Sequence, residues 1–342
     1  MRVIVAFDKP ALRERWRACL AAELPGAQVL AWGPSAAGPE PATAGGTGTA
    51  TTGSTTGGAG TATAGAGEAT PLADYAVGWN PPAALFASQP RLKAYFQAGA
   101  GVERLLALPG LPPALPVVRV EDAGMARQMA EYCCHEVFRR HRRYGEYEAQ
   151  QRDAVWRELE PPSDAPFRVG VLGLGALGEH VARTLAGFGY EVLGHARTPR
   201  TIPGVETTSG DDALEGFLAR CDVLILMLPL TGHTRGIVGA RALACLPRGA
   251  WLVNVARGAL VDDDALLAAL DGGHLAGATL DVFHTEPLPP EHPFWRHPRI
   301  RITPHVAAVT QVPESARQIA AKILRFERGE PAGGVVDRSR GY

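Results

Sequence analysis

Residues 167–178 read FRVGVLGLGALG, and this stretch decides the fold of the second half of the chain. Its apolar first half is typical of a buried β-strand, and it runs without a break into the glycine pattern GLGALG of residues 173–178. Residues 179–188 then show the apolar spacing of an amphipathic helix. The order of strand, glycine turn and helix predicts an α/β unit with a ligand site at the turn.

Each glycine of the pattern has a physical reason for its position. Gly173 permits the tight turn, Gly175 lets backbone amides approach a pyrophosphate, and Gly178 allows the helix to pack closely against the strand. The start of the helix, with Ala176 and Leu177, would direct its amides towards the phosphates. The pattern therefore predicts a dinucleotide site at these five residues, and a purely structural glycine turn is the alternative.

The residues after the next predicted strand indicate which dinucleotide is bound. An NAD-specific site usually places an acid about twenty residues beyond the glycine turn, against the ribose 2′-hydroxyl. Residues 195–200 read HARTPR here and contain no acid. The guanidiniums of Arg197 and Arg200, with the hydroxyl of Thr198, suit a 2′-phosphate dianion. The sequence predicts NADP(H), with NAD(H) as the weaker alternative; the other interpretation makes both arginines solvated loop charges.

Three polar residues follow three successive predicted strands beyond residue 250. Arg257 follows the first, Glu286 the second and His305 the third, so they should meet at one edge of a parallel sheet. A guanidinium gives a 2-keto acid a permanent cation for its carboxylate and carbonyl. An imidazolium can protonate the alkoxide that hydride transfer forms, and a carboxylate beside it would fix the ring. We therefore predict these residues as catalytic, although each alone is compatible with an ordinary surface role.

The composition excludes several classes of protein. Hydrophobic residues make up 46% of the chain, which rules out disorder of the whole protein. The 34 Lys and Arg residues almost balance the 35 Asp and Glu residues, so no long-range field attracts nucleic acid or anionic lipid. No apolar stretch approaches the roughly 20 residues of a membrane span, and the first strand-like residues do not resemble a signal peptide. We expect a cytoplasmic protein without a membrane, nucleic-acid or metal partner.

The 342 residues fit two globular domains. The first third of the chain alternates short strands with helical stretches, and a second α/β unit begins at residue 167. One long helix is predicted over residues 121–143, and a last helix over residues 313–328 could return the chain to the first domain. Residues 41–70 consist almost entirely of Ala, Gly and Thr, which predicts a disordered surface insertion without chemistry.

Four motifs together resemble the D-2-hydroxyacid dehydrogenase family. They are the glycine pattern of residues 173–178, NVARG at residues 254–258, DVF with EPLP at residues 281–289, and TPHVAA at residues 303–308. A closer resemblance is to the NADPH-dependent glyoxylate/hydroxypyruvate reductase A branch. It rests on ADYAVGW at residues 73–79, GAGV at 99–102, EDAGM at 121–125 and VDRSRGY at 336–342.

The resemblance implies two doubly wound parallel-sheet domains. A flavodoxin-like substrate domain would comprise residues 1–122 and 312–342, and a Rossmann dinucleotide-binding domain would comprise residues 123–311. The catalytic cleft would lie between them, with hinge closure excluding water from the ligand. A homodimer built on the cofactor domain, with the helix of residues 121–143 at its interface, is also implied.

The resemblance also implies further site residues. Ala100 and Gly101 would offer backbone amides to the substrate carboxylate, and Asp281 would lie near the nicotinamide carboxamide. Trp79 and Met125 would line the pocket, although both suit a hydrophobic core equally well. Further cofactor contacts are expected from three residues near the ends of the neighbouring strands: Pro229, Val255 and Ala256.

The function implied is NADPH-dependent reduction of small 2-keto acids, glyoxylate to glycolate and hydroxypyruvate to D-glycerate, with a histidine as proton donor. One alternative is a dehydrogenase for another D-2-hydroxy acid, such as phosphoglycerate. The other is a non-catalytic dinucleotide-sensing interaction protein of the same fold. The presence of Arg257, Glu286 and His305 favours an enzyme, because a sensor needs only the glycine turn.

Overall fold

The computed structural model of the protein describes residues 1–33, 71–160 and 166–342. The predicted insertion at residues 41–70 lies outside the described residues. Within the described ranges, no helix is both long and apolar enough to cross a membrane. The same ranges contain no cluster of three or more His, Cys, Asp or Glu side chains that could hold a metal ion.

The first sheet is parallel and has the strand order β2-β1-β3-β4-β5, which is the flavodoxin-like order. Its strands are β1 (Arg2–Ala6), β2 (Gln28–Ala31), β3 (Tyr75–Gly78), β4 (Ala94–Gln97) and β5 (Val117–Arg119). The helices along this part of the chain are α1 (Pro10–Glu23), α2 (Ala84–Ser88) and α3 (Glu103–Leu106). Strands β3 and β4 are buried along their whole length and β1 is buried beyond Arg2, as expected for a parallel sheet covered on both faces.

The second sheet is also parallel and has the order β12-β11-β10-β9-β6-β7-β8, the Rossmann order with a seventh strand added. Its strands are β6 (Arg168–Leu172), β7 (Glu191–Ala196), β8 (Val205–Ser209), β9 (Val223–Leu226), β10 (Trp251–Asn254), β11 (Gly277–Leu280) and β12 (Ile300–Ile302). The remaining helices are α4 (Met125–His141), α5 (Tyr144–Arg152), α6 (Ala176–Gly187), α7 (Leu214–Leu218), α8 (Ala240–Cys245), α9 (Asp263–Asp271) and α10 (Val312–Glu327). The predicted fold class, two doubly wound α/β domains, is confirmed.

Helix α10 and the residues after it return the chain to the first sheet. The buried face of α10, which includes Ala316, Ile319 and Ile323, belongs to the same hydrophobic core as β1. Beyond the helix, the Val336 amide donates a hydrogen bond to the Val117 carbonyl of β5 at 2.9 Å. Both ends of the described chain therefore build one α/β unit, while the domain bounds at residues 122/123 and 311/312 stay a prediction.

The long helix predicted over residues 121–143 is shorter in the structure. Helix α4 begins only at Met125, because Ala123 and Gly124 adopt left-handed backbone conformations with φ of 45° and 83°. At the other end, Arg143 has a φ of 56° and separates α4 from α5. The helical spacing of apolar residues predicts the body of the helix, but its ends depend on single residues that leave the right-handed region.

The glycine turn between β6 and α6 is packed as tightly as its sequence predicts. Gly173 has a φ of 110°, which disfavours any residue with a side chain. A Cβ atom on Gly178 would lie 1.9 Å from the Gly173 carbonyl oxygen, so the helix can approach the turn only because this residue lacks a side chain. Such a close approach brings the first turn of α6 to the carboxyl end of β6.

We expect Gly178→Ala to destabilise the protein, because the clash is with backbone atoms that cannot rotate away. Overpacking of this kind costs about 1–3 kcal/mol, which should lower the Tm by roughly 3–10 °C in thermal unfolding. The control is Gly187→Ala in the same helix, where the new Cβ would meet nothing within 4 Å. Equal Tm values for the two variants would contradict this account of the turn.

Candidate active site

Parallel pairing brings three of the predicted site loops together. Strand β11 pairs with β10 on one side and with β12 on the other, all in the same direction. The residues that follow these strands therefore lie at one edge of the sheet, and they include Arg257, Asp281 and His305. Gly258 supports this arrangement, because a Cβ atom there would lie 2.0 Å from the Phe283 carbonyl carbon.

His305 and Glu286 form the predicted pair. The Nδ1 atom of His305 lies 2.8 Å from Oε2 of Glu286, and the other carboxylate oxygen accepts a 2.9 Å hydrogen bond from the Phe283 amide. When the imidazole donates a hydrogen bond from Nδ1 to a carboxylate, its Nε2 atom remains available to contact a substrate. The His305 side chain is 44% exposed, so a ligand can reach that second nitrogen.

The buried Asp281 carboxylate holds the loop that carries His305. It accepts hydrogen bonds from the Thr303 hydroxyl at 2.6 Å and from the amides of Val306 and Ala307 at 2.8 and 2.9 Å. Its backbone carbonyl also accepts the His305 amide at 2.8 Å. These bonds hold His305 at a φ of 56°, a conformation that a residue with a side chain rarely adopts. The expected approach of Asp281 to the nicotinamide stays a prediction.

Arg257 is fixed at two of its three nitrogens. Its Nε donates to Oε1 of Glu103 at 2.5 Å, and its Nη1 donates to the Ala256 carbonyl at 2.6 Å. Its Nη2 lies against Gly101, where a Cβ atom would be only 1.8 Å away. No hydrogen bond described in residues 1–33, 71–160 or 166–342 uses Nη2, which leaves this end of the guanidinium for an anion.

Glu103 is a site residue that the sequence reasoning missed. It is the first residue of α3, in the first sheet's domain, and it pairs with Arg257 from the second. Burial acts to raise the pKa of the Glu103 carboxyl, but the charge and hydrogen bond of Arg257 outweigh burial and hold that pKa below its ordinary value. The available signal was an acid directly after the GAGV motif, within the predicted substrate loop.

The predicted substrate loop packs against Trp79 and Gln97. The Trp79 ring lies over Gly99, where a Cβ atom would be 2.2 Å from it, and the indole is 42% exposed. Buried Gln97 donates a 3.1 Å hydrogen bond to the Gly101 carbonyl. Met125 is 5% exposed and packs in the core of the first domain, and its place in the pocket wall stays a prediction. Ala100, next to Gly101, lies partly exposed in the same loop.

The start of α6 fits the pyrophosphate of a dinucleotide. The helix begins at Ala176 after Gly175, and no side chain caps it. A Cβ atom on Gly175 would meet nothing within 4 Å, so there is open space in front of the helix start. In the part of the chain that the structure describes, the amides of Ala176 and Leu177 donate no hydrogen bond. Free amides at the positive end of a helix are a suitable anion site.

The loop after β7 exposes Arg197, Thr198 and Arg200. Nη2 of Arg197 donates to the Tyr342 hydroxyl at 2.7 Å, and Arg200 pairs with the Glu179 carboxylate on α6 at 3.1 Å. The two arginines therefore differ, because among the described residues Arg200 has a carboxylate partner, which it shares with Arg183, and Arg197 has none. Pro229 lies in the loop after β9. Val255 and Ala256 directly follow β10 at the carboxyl edge of the same sheet, and these two residues are buried.

Sequence comparisons identify relatives over almost the whole chain. Residues 135–307 match the family model described as "D-isomer specific 2-hydroxyacid dehydrogenase, NAD binding domain". The chain is 43% identical to the glyoxylate/hydroxypyruvate reductase A of Serratia proteamaculans over 334 residues, which is 96% of each protein.

Solved structures give the same result. A D-isomer specific 2-hydroxyacid dehydrogenase from Xanthobacter autotrophicus, solved with NADPH and MES, is 40% identical and has a TM-score of 0.85 over 99% of both chains. The NADPH-dependent glyoxylate/hydroxypyruvate reductase of Sinorhizobium meliloti, solved with NADP and sulfate, is 36% identical. Its TM-score is 0.84, with 100% of this chain and 99% of that chain covered. This chain belongs to the D-isomer specific 2-hydroxyacid dehydrogenase family.

Proposed function

We propose that the protein uses NADPH to reduce small 2-keto acids, converting glyoxylate to glycolate and hydroxypyruvate to D-glycerate. The observation that carries the proposal is the 2.8 Å contact between His305 and Glu286 at the sheet edge where Arg257 also lies. The names of the Serratia and Sinorhizobium relatives support these substrates and this cofactor. The homodimer and the cytoplasmic location stay predictions.

His305 is the proposed proton donor. When a hydride is added to the C2 carbon of the keto acid, the carbonyl π electrons move to oxygen, and the alkoxide takes the proton from Nε2. Glu286 accepts a hydrogen bond from the Nδ1 N–H group throughout, so it fixes the ring and stabilises its positive charge before the transfer. The reaction consumes one hydride and one proton for each carbonyl reduced.

Arg257 is the proposed partner of the substrate carboxylate and carbonyl. Its Nε and Nη1 are occupied by protein oxygens, so the free Nη2 beside Gly101 faces the substrate loop. We infer that the Ala100 and Gly101 amides complete the carboxylate site and that Trp79 forms a wall of the pocket. Glu103 orients the guanidinium of Arg257, and its carboxylate partly compensates the positive charge of that guanidinium in the cleft.

The proposed cofactor site uses the free amides at the start of α6 for the pyrophosphate and the loop after β7 for the 2′-phosphate. Bound NADPH supplies the hydride from its reduced nicotinamide. Arg197 carries most of the 2′-phosphate recognition, because Arg200 already shares its charge with Glu179. Thr198 is a further hydroxyl donor in this loop.

We expect His305→Ala to lower kcat for glyoxylate reduction by roughly 100- to 10,000-fold, the usual contribution of a general acid. NADPH affinity, measured by fluorescence titration, should be almost unchanged, because His305 is not assigned to the dinucleotide. Glu286→Gln should cause a smaller loss, since an amide oxygen still accepts the Nδ1 hydrogen bond but lacks the negative charge. A His305→Ala variant that keeps more than about a tenth of the parental turnover would exclude the general-acid role.

We expect Glu103→Ala to raise KM for the keto acid about three- to tenfold, because Arg257 loses the partner that fixes its Nε. Arg257→Ala should raise KM further and also lower kcat if the guanidinium polarises the carbonyl. Arg104→Ala is the matched control, since Arg104 is the exposed neighbour in α3. A lower KM in Glu103→Ala would show instead that this carboxylate competes with the substrate.

We expect Arg197→Ala to weaken NADPH binding roughly tenfold or more, because it removes a charge-assisted contact to the 2′-phosphate. NADH binding should change little, and Arg200→Ala should have the smaller effect on NADPH. Kd values from fluorescence titration with both cofactors measure the difference. Equal losses for NADPH and NADH in Arg197→Ala would refute the assignment of the phosphate site.

A further inference from the structure

Residues 330–342, here called the return segment, run from the first sheet to the cofactor edge of the second. The Val336 amide bonds to the Val117 carbonyl of β5 at 2.9 Å, and Nη2 of Arg338 donates to the Leu115 carbonyl at 2.6 Å. These bonds attach the segment to the domain that the proposed function assigns to the substrate. Its end nevertheless contacts the other domain.

A hydrogen-bonded turn fixes the orientation of the end of this segment. Oδ1 of Asp337 accepts the Ser339 amide at 2.9 Å and the Ser339 hydroxyl at 2.6 Å. The Asp337 carbonyl accepts a 2.9 Å hydrogen bond from the Gly341 amide. The Asp337 amide donates a 3.1 Å hydrogen bond to the Tyr342 carbonyl. These hydrogen bonds within residues 337–342 fix the orientation of Tyr342.

Tyr342 is directed at Arg197. The Tyr342 hydroxyl accepts a 2.7 Å hydrogen bond from Nη2, and the Arg197 Cζ lies 5.6 Å from the centre of the aromatic ring. A Cβ atom on Gly341 would lie 3.7 Å from Thr231 in the loop after β9. The return segment therefore lies beside the loops after β7 and β9, on both sides of the glycine turn of β6.

We propose that Tyr342 is a positioning residue for recognition of the 2′-phosphate, an inference that rests on the NADPH site of the proposed function. A free arginine side chain loses rotamer entropy when a ligand fixes it, and Tyr342 fixes Arg197 before the anion binds. The tyrosine is neutral, so it leaves the positive charge of Arg197 intact, unlike the carboxylate that pairs with Arg200.

The tyrosine hydroxyl can also act on the phosphate directly. It accepts one hydrogen bond from Arg197 and keeps its own hydrogen, which is available as a donor to an anion. NADH has a neutral 2′-hydroxyl on this ribose, so the Arg197–Tyr342 pair adds little to its binding. The return segment of the substrate domain thus contributes to cofactor selectivity in the other domain.

The test is fluorescence titration of the full-length Tyr342→Ala and Tyr342→Phe variants with NADPH and with NADH. Tyr342→Ala should raise the Kd for NADPH about three- to tenfold and leave the Kd for NADH within about twofold. The Kd of Tyr342→Phe for NADPH should lie between the values of the parent protein and of Tyr342→Ala, because this variant keeps the ring and loses the hydroxyl. Val335→Ala, an exposed position in the same segment, is the control and should match the parent.

A double variant separates this inference from the proposed function. Because Tyr342 acts mainly through Arg197, adding Tyr342→Ala to Arg197→Ala should raise the NADPH Kd by a smaller factor than Tyr342→Ala does in the parent protein. Three results would overturn the role of Tyr342 while leaving the Arg197 site in place. They are fully additive losses of NADPH affinity in the double variant, equal losses of NADPH and NADH affinity in Tyr342→Ala, and tighter NADPH binding in Tyr342→Ala. An Arg197→Ala variant with unchanged NADPH affinity would overturn both.

Discussion

Parallel pairing of β10, β11 and β12 places the carboxyl ends of the three strands at one edge of the sheet, and the candidate chemistry depends on this placement. The loop after β10 carries Arg257, and the loop after β12 carries His305. Between them, the buried Asp281 carboxylate satisfies two amides and a hydroxyl of the His305 loop. A carboxylate that no water can reach must keep these bonds, so the loop has little freedom to move.

Two of the three arginines that the proposed function assigns to anions are held by a residue from the other domain. Arg257 is paired with Glu103 at the start of α3, and Arg197 is paired with Tyr342 of the return segment. Each contact fixes a long flexible side chain before its ligand arrives, which lowers the entropy lost on binding. The two domains are thus joined by polar contacts at the proposed substrate site and at the proposed cofactor site.

The sequence predicts most of the fold, because apolar strands and the glycine turn have strong local patterns. Strands β2 and β8 lack such a pattern: β2 has one buried residue, and the VETTS sequence of β8 has none. The His305–Glu286 pair is predictable because both residues follow strands on one sheet edge. The Arg257–Glu103 and Arg197–Tyr342 pairs are not predictable, because the partners lie 154 and 145 residues apart and only the tertiary structure brings them together.

The most direct test of the central claim is the loss of NADPH absorbance with a panel of 2-keto acids, measured on the unmodified protein. We expect turnover of glyoxylate and hydroxypyruvate, with much weaker activity when NADH replaces NADPH. Preferential turnover of a phosphorylated or bulkier keto acid would contradict the proposed substrates. Tight NADPH binding without reduction of any 2-keto acid would contradict the catalytic role itself and favour a dinucleotide sensor.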